Sequence, residues 1–142
     1  MSQRELAIVS EEECYALVSG VNVGRLLYVD DIGPIGVPVN YALSGRDIIF
    51  RSEGGTKKAA MEQPLVGFEI DHISDDRHSG WSVILRGHLD EVDMDDVPAL
   101  IRSMEGHFPA PWAVGVHNQW MRLTPTVVTG RKLGKEGSMP IV

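Results

Sequence analysis

Residues 37–61, with the sequence VPVNYALSGRDIIFRSEGGTKKAAM, decide how the rest of the chain is interpreted. Residues 37–42 alternate with a period of two, which is the pattern of a half-buried strand. Residues 44–47 are turn formers, and residues 48–50 resume a strand with strong β formers. A pair of glycines follows, and then good helix formers at 59–61. The stretch predicts a strand, a turn, a second strand, a tight loop and the start of a helix.

The loop before this helix concentrates groups that favour a phosphate. Arg51, Lys57 and Lys58 supply positive charge, and Ser52 and Thr56 supply hydroxyl donors. A helix start adds unpaired N–H groups and the positive end of the helix dipole. The spacing is not that of a Walker loop. The alternative is that these side chains form a solvated surface, and the residues alone leave both interpretations open.

Length and charge set the class of protein. The 142 residues predict a single domain over 1–142. A net charge of −7 argues against a nucleic-acid partner, which needs a basic face. A single cysteine, Cys14, excludes an internal disulfide and a cysteine-based zinc cage. The chain has no apolar run long enough for a membrane span, and its start lacks a secretory pattern. We therefore expect a cytoplasmic protein that does not act at a membrane.

The N-terminal part of the chain predicts a helix followed by two strands. Ser10 and Glu13 have the spacing of a capping box, which predicts a helix from about residue 11 to 18 within a segment of about 10–19. Cys14 lies on the apolar face of this helix, so we expect it to be buried. The first strand is expected at 21–30 and the second from Ile35 onward. Pro38 lies inside the second strand, so a neighbouring strand must be absent or disrupted there.

The rest of the chain continues in hairpin order without βαβ alternation. His72 and His78 lie in a polar loop, but their spacing matches no standard metal site, and we assign no metal. The count of six or seven strands and three short helices indicates a small antiparallel barrel of the mainly β (α+β) class. The expected elements are helix 57–63, strand 65–70, loop 71–80, a longest strand 81–92 with a bulge at Gly87, helix 93–104, loop 106–115, a final strand or strand pair 117–131 around Pro125, and a mobile tail from about 134 to 142.

Five short motifs occur in a fixed order between residues 37 and 87: V-P-V-N-Y, F-R-S, G-T-K-K, F-E-I-D and G-W-S-V-I-L-R-G. Together they resemble the pyridoxamine 5′-phosphate oxidase-like proteins with the FMN-binding split-barrel fold. The closer similarity is to the small bacterial single-domain branch, which includes nitroimidazole-resistance-type proteins, and it covers about residues 10–133. The resemblance implies an antiparallel split β-barrel.

The resemblance also implies a cofactor site. In this family FMN lies across the barrel surface at the interface of a homodimer. One strand lines the isoalloxazine through its main chain, and the loop after the next strand holds the phosphate. The matching positions are Val37, Pro38, Val39, Asn40 and Tyr41 for the strand, Arg51, Ser52, Thr56, Lys57 and Lys58 for the phosphate, Trp81 and Ser82 beside the ring, and Trp120 and Arg131 in the region that reaches the partner's flavin.

Several assignments stay open at this stage. Trp81 is equally consistent with a core aromatic, and no general acid or base is evident. Lys57, Arg131 or a main-chain N–H are candidates for stabilising the reduced ring. The family's substrate-binding Arg-x-His segment is missing from residues 125–133, PTVVTGRKL. We expect an FMN-dependent oxidoreductase acting on a small organic molecule other than pyridoxamine phosphate. The alternatives are an F420-dependent reductase and a non-catalytic protein that sequesters flavin or haem.

Overall fold

A computed structural model of the chain describes residues 5–52, 58–74, 79–105 and 119–134. No helix within these ranges is long and apolar enough to cross a membrane. A short 3-10 turn, Met94–Asp96, precedes the third helix. The strands are β1 (Glu5–Val9), β2 (Val23–Val29), β3 (Pro34–Ser44), β4 (Asp47–Ser52), β5 (Val66–Ile73), β6 (Gly80–Glu91), β7 (Met104–Glu105) and β8 (Gln119–Gly134), and the α-helices are α1 (Glu11–Val18), α2 (Lys58–Met61) and α3 (Val97–Ser103).

Six strands close into an antiparallel barrel. They are hydrogen-bonded in the order β8-β4-β3-β2-β5-β6, and the pairing of β6 with β8 completes the ring. Strand β8 pairs with β6 along one edge, and β4 and β1 share its other edge at opposite ends. The expected mainly β split barrel is therefore confirmed.

The barrel interior forms the main core, and α1 packs against it. Phe50 and Phe68 are fully buried, with ring centroids 6.0 Å apart, and Tyr41 meets Phe68 edge-on at 5.4 Å. Ser10 accepts a hydrogen bond from the Glu13 N–H at 3.2 Å, so the expected N-cap and helix are confirmed. Cys14 is fully buried in this core, also as expected. A second, smaller core forms outside the barrel among Ile49, Val92, Val97, Leu100 and Trp120.

The longest strand is β8, not β6 as the sequence suggested, with 16 residues against 12. Pro125 does not interrupt β8, because it lies opposite Gly87 where the register with β6 shifts. A Cβ on Gly87 would come within 2.0 Å of the Thr124 carbonyl oxygen, so this position requires glycine. The bulge predicted at Gly87 is confirmed, and it explains how a proline fits inside a long strand.

Other boundaries differ from the sequence-based expectation. Strand β1 was not expected at all. Helix α2 has four residues rather than seven, and β5 and β6 extend into the expected loop 71–80. The helix expected over 93–104 divides into the 3-10 turn and α3, with Pro98 in the first turn of α3. The expected loop 106–115 and the tail beyond residue 134 lie outside the described residues.

Candidate functional site

Strands β3 and β4 separate at the middle of the barrel wall. They pair only where residues 41–44 lie opposite residues 47–50, and Arg51 and Ser52 then continue β4 paired with β8 on its other edge alone. Residues 34–40 of β3 pair with β2, and no other described strand pairs with their opposite edge. Pro38 lies in this stretch and has no N–H to donate. The separation leaves main-chain groups of β3 beside the end of β4, where a ligand could reach both.

Arg51 lies at the end of β4 with a donor that lacks an acceptor. Its guanidinium carbon is 5.2 Å from the centre of the Trp120 ring, which holds the charge in place. Its Nε is buried and has no hydrogen-bond partner among the described residues. Leaving a buried donor unsatisfied costs about 1–3 kcal/mol. An anion bound here would satisfy that donor, so the residues present fit a phosphate.

Ser52 and Lys58 flank Arg51 along the chain. Ser52 is buried at the end of β4, and Lys58 is exposed at the first position of α2. The next turn of α2 is anchored by Ala60, which is fully buried in the main core. The described part of α2 has four residues, so the contribution expected from a helix start stays a prediction. The described side chains that can meet an anion here are those of Arg51, Ser52 and Lys58.

The two remaining phosphate candidates lie outside the described residues. These are Thr56 and Lys57, together with the glycine pair before them. Their assignment therefore stays a prediction from the sequence.

The side chains of residues 37–41 in β3 point alternately into the core and towards the outer surface. Val39 and Tyr41 are buried in the main core, and Val37 packs against it. Pro38 is exposed and Asn40 is half-buried. A ligand beside this strand would therefore meet its main chain and its outward positions, as the resemblance implied.

Tyr41 has a structural partner. Its hydroxyl donates a 2.6 Å hydrogen bond to the Val18 carbonyl at the end of α1. Burial raises the pKa of the Tyr41 hydroxyl well above its usual value. This side chain fastens α1 to β3 from within the core.

Of the remaining candidates, Trp120 lies beside Arg51, whereas Trp81, Ser82 and Arg131 lie elsewhere. Trp81 is 5% exposed and packs in the main core, and Ser82 lies opposite Arg131 on the outer surface. Trp120 and Arg131 are eleven residues apart on β8, a path of about 36 Å at ~3.3 Å per residue. The Arg51 corner brings together Arg51, Ser52 and Trp120. Ser82 and Arg131 belong to a different part of the surface.

A charged cluster that the sequence analysis missed lies on the outer surface of β2 and β5. Arg25 Nη1 is 3.1 Å from Glu69 Oε1 and 3.7 Å from Asp71 Oδ2. The pKa of Glu69 is raised to about 7, chiefly by burial and then by the hydrogen bond and charge of Asp71, against the opposing effect of Arg25. The F-E-I-D motif places both carboxylates on one face, because strand side chains alternate. Its partner Arg25 is 44 residues from Glu69, so no local pattern identifies it.

An apolar groove of about 500 Å³ adjoins this cluster on the same outer surface. The side-chain amide of Gln63 occupies one end of it, accepting a hydrogen bond from the Val29 N–H at 3.2 Å and donating one to the Val29 carbonyl. Volumes in this range are typical of small-molecule sites. Its lining includes Leu27, Val29, Pro34, Gly36, Leu65, Gly67, Ile84 and Arg86.

The sequence motifs implied a split barrel with a cationic site beside a strand edge, and the structure has this architecture. Comparison with known proteins identifies the family. The family model described as pyridoxamine 5′-phosphate oxidase matches residues 10–132. The chain belongs to this family.

Three relatives illustrate the range of similarity. The FAD binding protein from Mycobacterium smegmatis has 33% identity and a TM-score of 0.74, with 90% of this chain and 98% of that chain covered. A FAD-binding protein from Mesorhizobium loti has 22% identity and a TM-score of 0.75, with 94% and 100% covered, and it supports the fold alone. The uncharacterized protein Rv0080 from Mycobacterium tuberculosis is 25% identical over 146 residues, covering 98% of this chain and 93% of that protein.

Proposed function

We propose that this protein binds flavin mononucleotide, with the phosphate at the Arg51 corner and the ring along residues 37–41 of β3. The observation that carries the proposal is the buried Arg51 Nε, which has no partner among the described residues. A phosphate oxygen would accept its hydrogen bond and balance the guanidinium charge. The 33% identity to a FAD binding protein supports a flavin over other phosphate compounds.

The residues of the corner have distinct roles in this proposal. Arg51 holds the phosphate from the side of β8, with its plane positioned by Trp120. Lys58 adds charge from α2, and the sequence adds Thr56 and Lys57. Residues 37–41 offer main-chain groups to the polar edge of the ring. A bound flavin would supply hydride and electron transfer, and the protein supplies placement and electrostatics.

A second copy of the chain is part of the same proposal. Arg131 lies at the end of β8 that is far from the Arg51 corner, and Ser82 of β6 lies opposite it. One chain therefore does not bring Arg131 and the Arg51 corner to the same flavin ring. In a homodimer, this end of β8 could approach the partner's flavin, as the resemblance implies. The site would then be complete only in the dimer.

The proposed activity is an oxidoreductase acting on a small organic molecule in the cytoplasm. The absence of the Arg-x-His segment from residues 125–133 argues against pyridoxamine phosphate as the substrate. Glu69, with its pKa raised to about 7, is a group that can hold or release a proton near neutral pH.

Titration of flavin-free protein with FMN and riboflavin tests the phosphate assignment. The two ligands share the ring and differ in the phosphate, so the ratio of their affinities isolates the Arg51 corner. We expect FMN to bind at least tenfold more tightly than riboflavin, measured by quenching of flavin fluorescence. Equal affinities would refute a phosphate site at this corner.

Parallel titrations with FAD and with the deazaflavin F420 test the choice of cofactor. We expect FMN to bind more tightly than F420, and the reverse order would replace the FMN proposal with an F420 one. Multiple turnovers of a nitroaromatic or quinone acceptor with reduced cofactor would support an enzyme. Tight flavin binding without turnover of any acceptor would indicate a carrier.

A further inference from the structure

The outer surface around Glu69 combines exposed apolar side chains with a compact charged cluster. Val29 is 53% exposed and Leu65 is 48% exposed beside the groove, and Ile73 at the end of β5 is 53% exposed. Large apolar side chains grouped on one surface indicate an interaction site. We call this surface of β2, β5 and β6, centred on Glu69, the outer face.

The charged cluster has more acid than base. Two carboxylates, Glu69 and Asp71, share one guanidinium, that of Arg25, at 3.1 and 3.7 Å. Glu69 and Asp71 are two residues apart on the same face of β5, so the negative charge of each favours the uptake of a proton by the other. The Glu69 side chain is largely buried, with 19% of its surface exposed, whereas the Arg25 side chain is 50% exposed. Further burial of the cluster would favour its protonated form, because burial penalises an uncompensated charge.

We propose that a second copy of this chain covers the outer face and that the Glu69–Asp71 pair takes up one proton per protomer when it does so. This inference rests on the dimer of the proposed function and adds its regulation by pH. The half-exposed Arg25 beside two acids makes the face self-complementary in charge, as an interface between identical surfaces requires. Each chain carries a net charge of −7, so proton uptake also reduces the repulsion between two copies.

The residues around the Glu69–Asp71 pair determine how strongly dimerisation depends on pH. Arg25 faces Glu69 from β2, and Ile84 faces it from β6. The next charged groups are Arg86 and Arg131. Arg86 of β6 lies opposite Gly67 of β5, and Arg131 of β8 lies opposite Ser82 of β6. Both arginines favour the ionised carboxylates and so oppose proton uptake. Neither forms an ion pair with the cluster among the described residues, and the apolar Ile84 separates Glu69 from β8.

The dimer dissociation constant measured at several pH values tests the inference. The full chain, with a dye at its amino terminus, is followed by sedimentation with fluorescence detection at pH 6, 7 and 8 and constant ionic strength. With one proton taken up by each protomer, we expect the dissociation constant to rise by roughly 10- to 100-fold from pH 6 to pH 8. A change of less than threefold, or a monomer at all three pH values, would overturn the inference.

Two variants separate this pair from other titrating groups. Glu69→Gln keeps an acceptor for Arg25 and cannot ionise, so we expect a tight dimer whose dissociation constant is nearly independent of pH. Glu12→Gln removes an exposed carboxylate on α1, away from the outer face, and should retain the wild-type pH dependence. A Glu69→Gln protein with unchanged pH dependence would refute the role of this pair. Flavin titration of the same samples distinguishes the two proposals, because normal flavin binding with pH-independent association would overturn only this one.

Discussion

Replacing Arg51 with methionine should separate ligand binding from stability. Methionine keeps most of the apolar stem and removes the guanidinium, including the buried Nε that has no partner in the part of the chain that the structure describes. Removing an unsatisfied donor relieves about 1–3 kcal/mol. Losing the stacking on Trp120 costs about 0.5–2 kcal/mol. These effects oppose each other, so the free energy of unfolding of the flavin-free protein should lie between about 1 kcal/mol below and ~2.5 kcal/mol above that of wild type.

The effect on FMN affinity should be much larger. Hydrogen bonds to a charged group contribute about 1.5–3 kcal/mol each. Losing one such bond to the phosphate weakens binding by roughly 10- to 150-fold. The assay is FMN titration by fluorescence quenching, combined with urea unfolding of the flavin-free protein.

Arg122 provides a matched control on β8, the strand that pairs with β4. Its Nη1 is 2.8 Å from Asp47 Oδ2, so it already has a partner away from the corner. Arg122→Met should lower the free energy of unfolding by about 1 kcal/mol, because it leaves a half-buried carboxylate unpaired. Its FMN affinity should stay within about twofold of wild type, since no phosphate contact is lost. If Arg51→Met instead loses stability like Arg122→Met and binds FMN normally, Arg51 is a structural residue and the phosphate site is misplaced.

Three further predictions concern the barrel and the outer face. Tyr41→Phe removes the 2.6 Å bond to the Val18 carbonyl and should cost about 1–2 kcal/mol in urea unfolding; a drop in FMN affinity with unchanged stability would contradict this structural role. Gly87→Ala would place a Cβ 2.0 Å from the Thr124 carbonyl oxygen and should strongly lower the melting temperature, and a melting temperature close to that of wild type would show that β6 and β8 separate easily. Because the pKa of Glu69 is raised to about 7, the folded chain binds more protons than the unfolded chain between about pH 4.5 and 7, so this group's contribution to stability should fall as pH rises through that window. Urea unfolding at pH 5 and pH 8 should show a lower free energy of unfolding at pH 8 in wild type and a smaller difference in Glu69→Gln. Equal differences in the two proteins would argue against a raised pKa of Glu69.

The sequence predicts those elements whose cause is local. The Ser10 cap and the Gly45 turn, with its positive φ of 59°, depend on a few adjacent residues, and both are identifiable in the sequence. The phosphate loop was also predicted from local chemistry, and its assignment stays a prediction.

The features that the sequence did not predict depend on distant partners. Strand β1 forms because residues 130–134 of β8 offer it a free edge. Pro125 suggested a break in β8, but the register between β6 and β8 shifts opposite Gly87, where it skips Thr126 of β8, and this accommodates the proline. Helix α2 ends early, and the Gln63 side chain that follows it hydrogen-bonds to the main chain of β2. The cluster of Arg25, Glu69 and Asp71 was missed for the same reason, since Arg25 reaches the two carboxylates only in the folded barrel.

The complete burial of Cys14 has a practical consequence for measuring distances in this protein. It is the chain's only cysteine, and burial raises the pKa of its thiol, which makes it a poor nucleophile at neutral pH. A maleimide or nitroxide reagent should therefore attach selectively to a newly introduced surface cysteine, such as Thr126→Cys on β8, with little background. Pulsed electron spin resonance on such singly labelled chains would report the spacing between two copies directly, with the native sulfhydryl left in place.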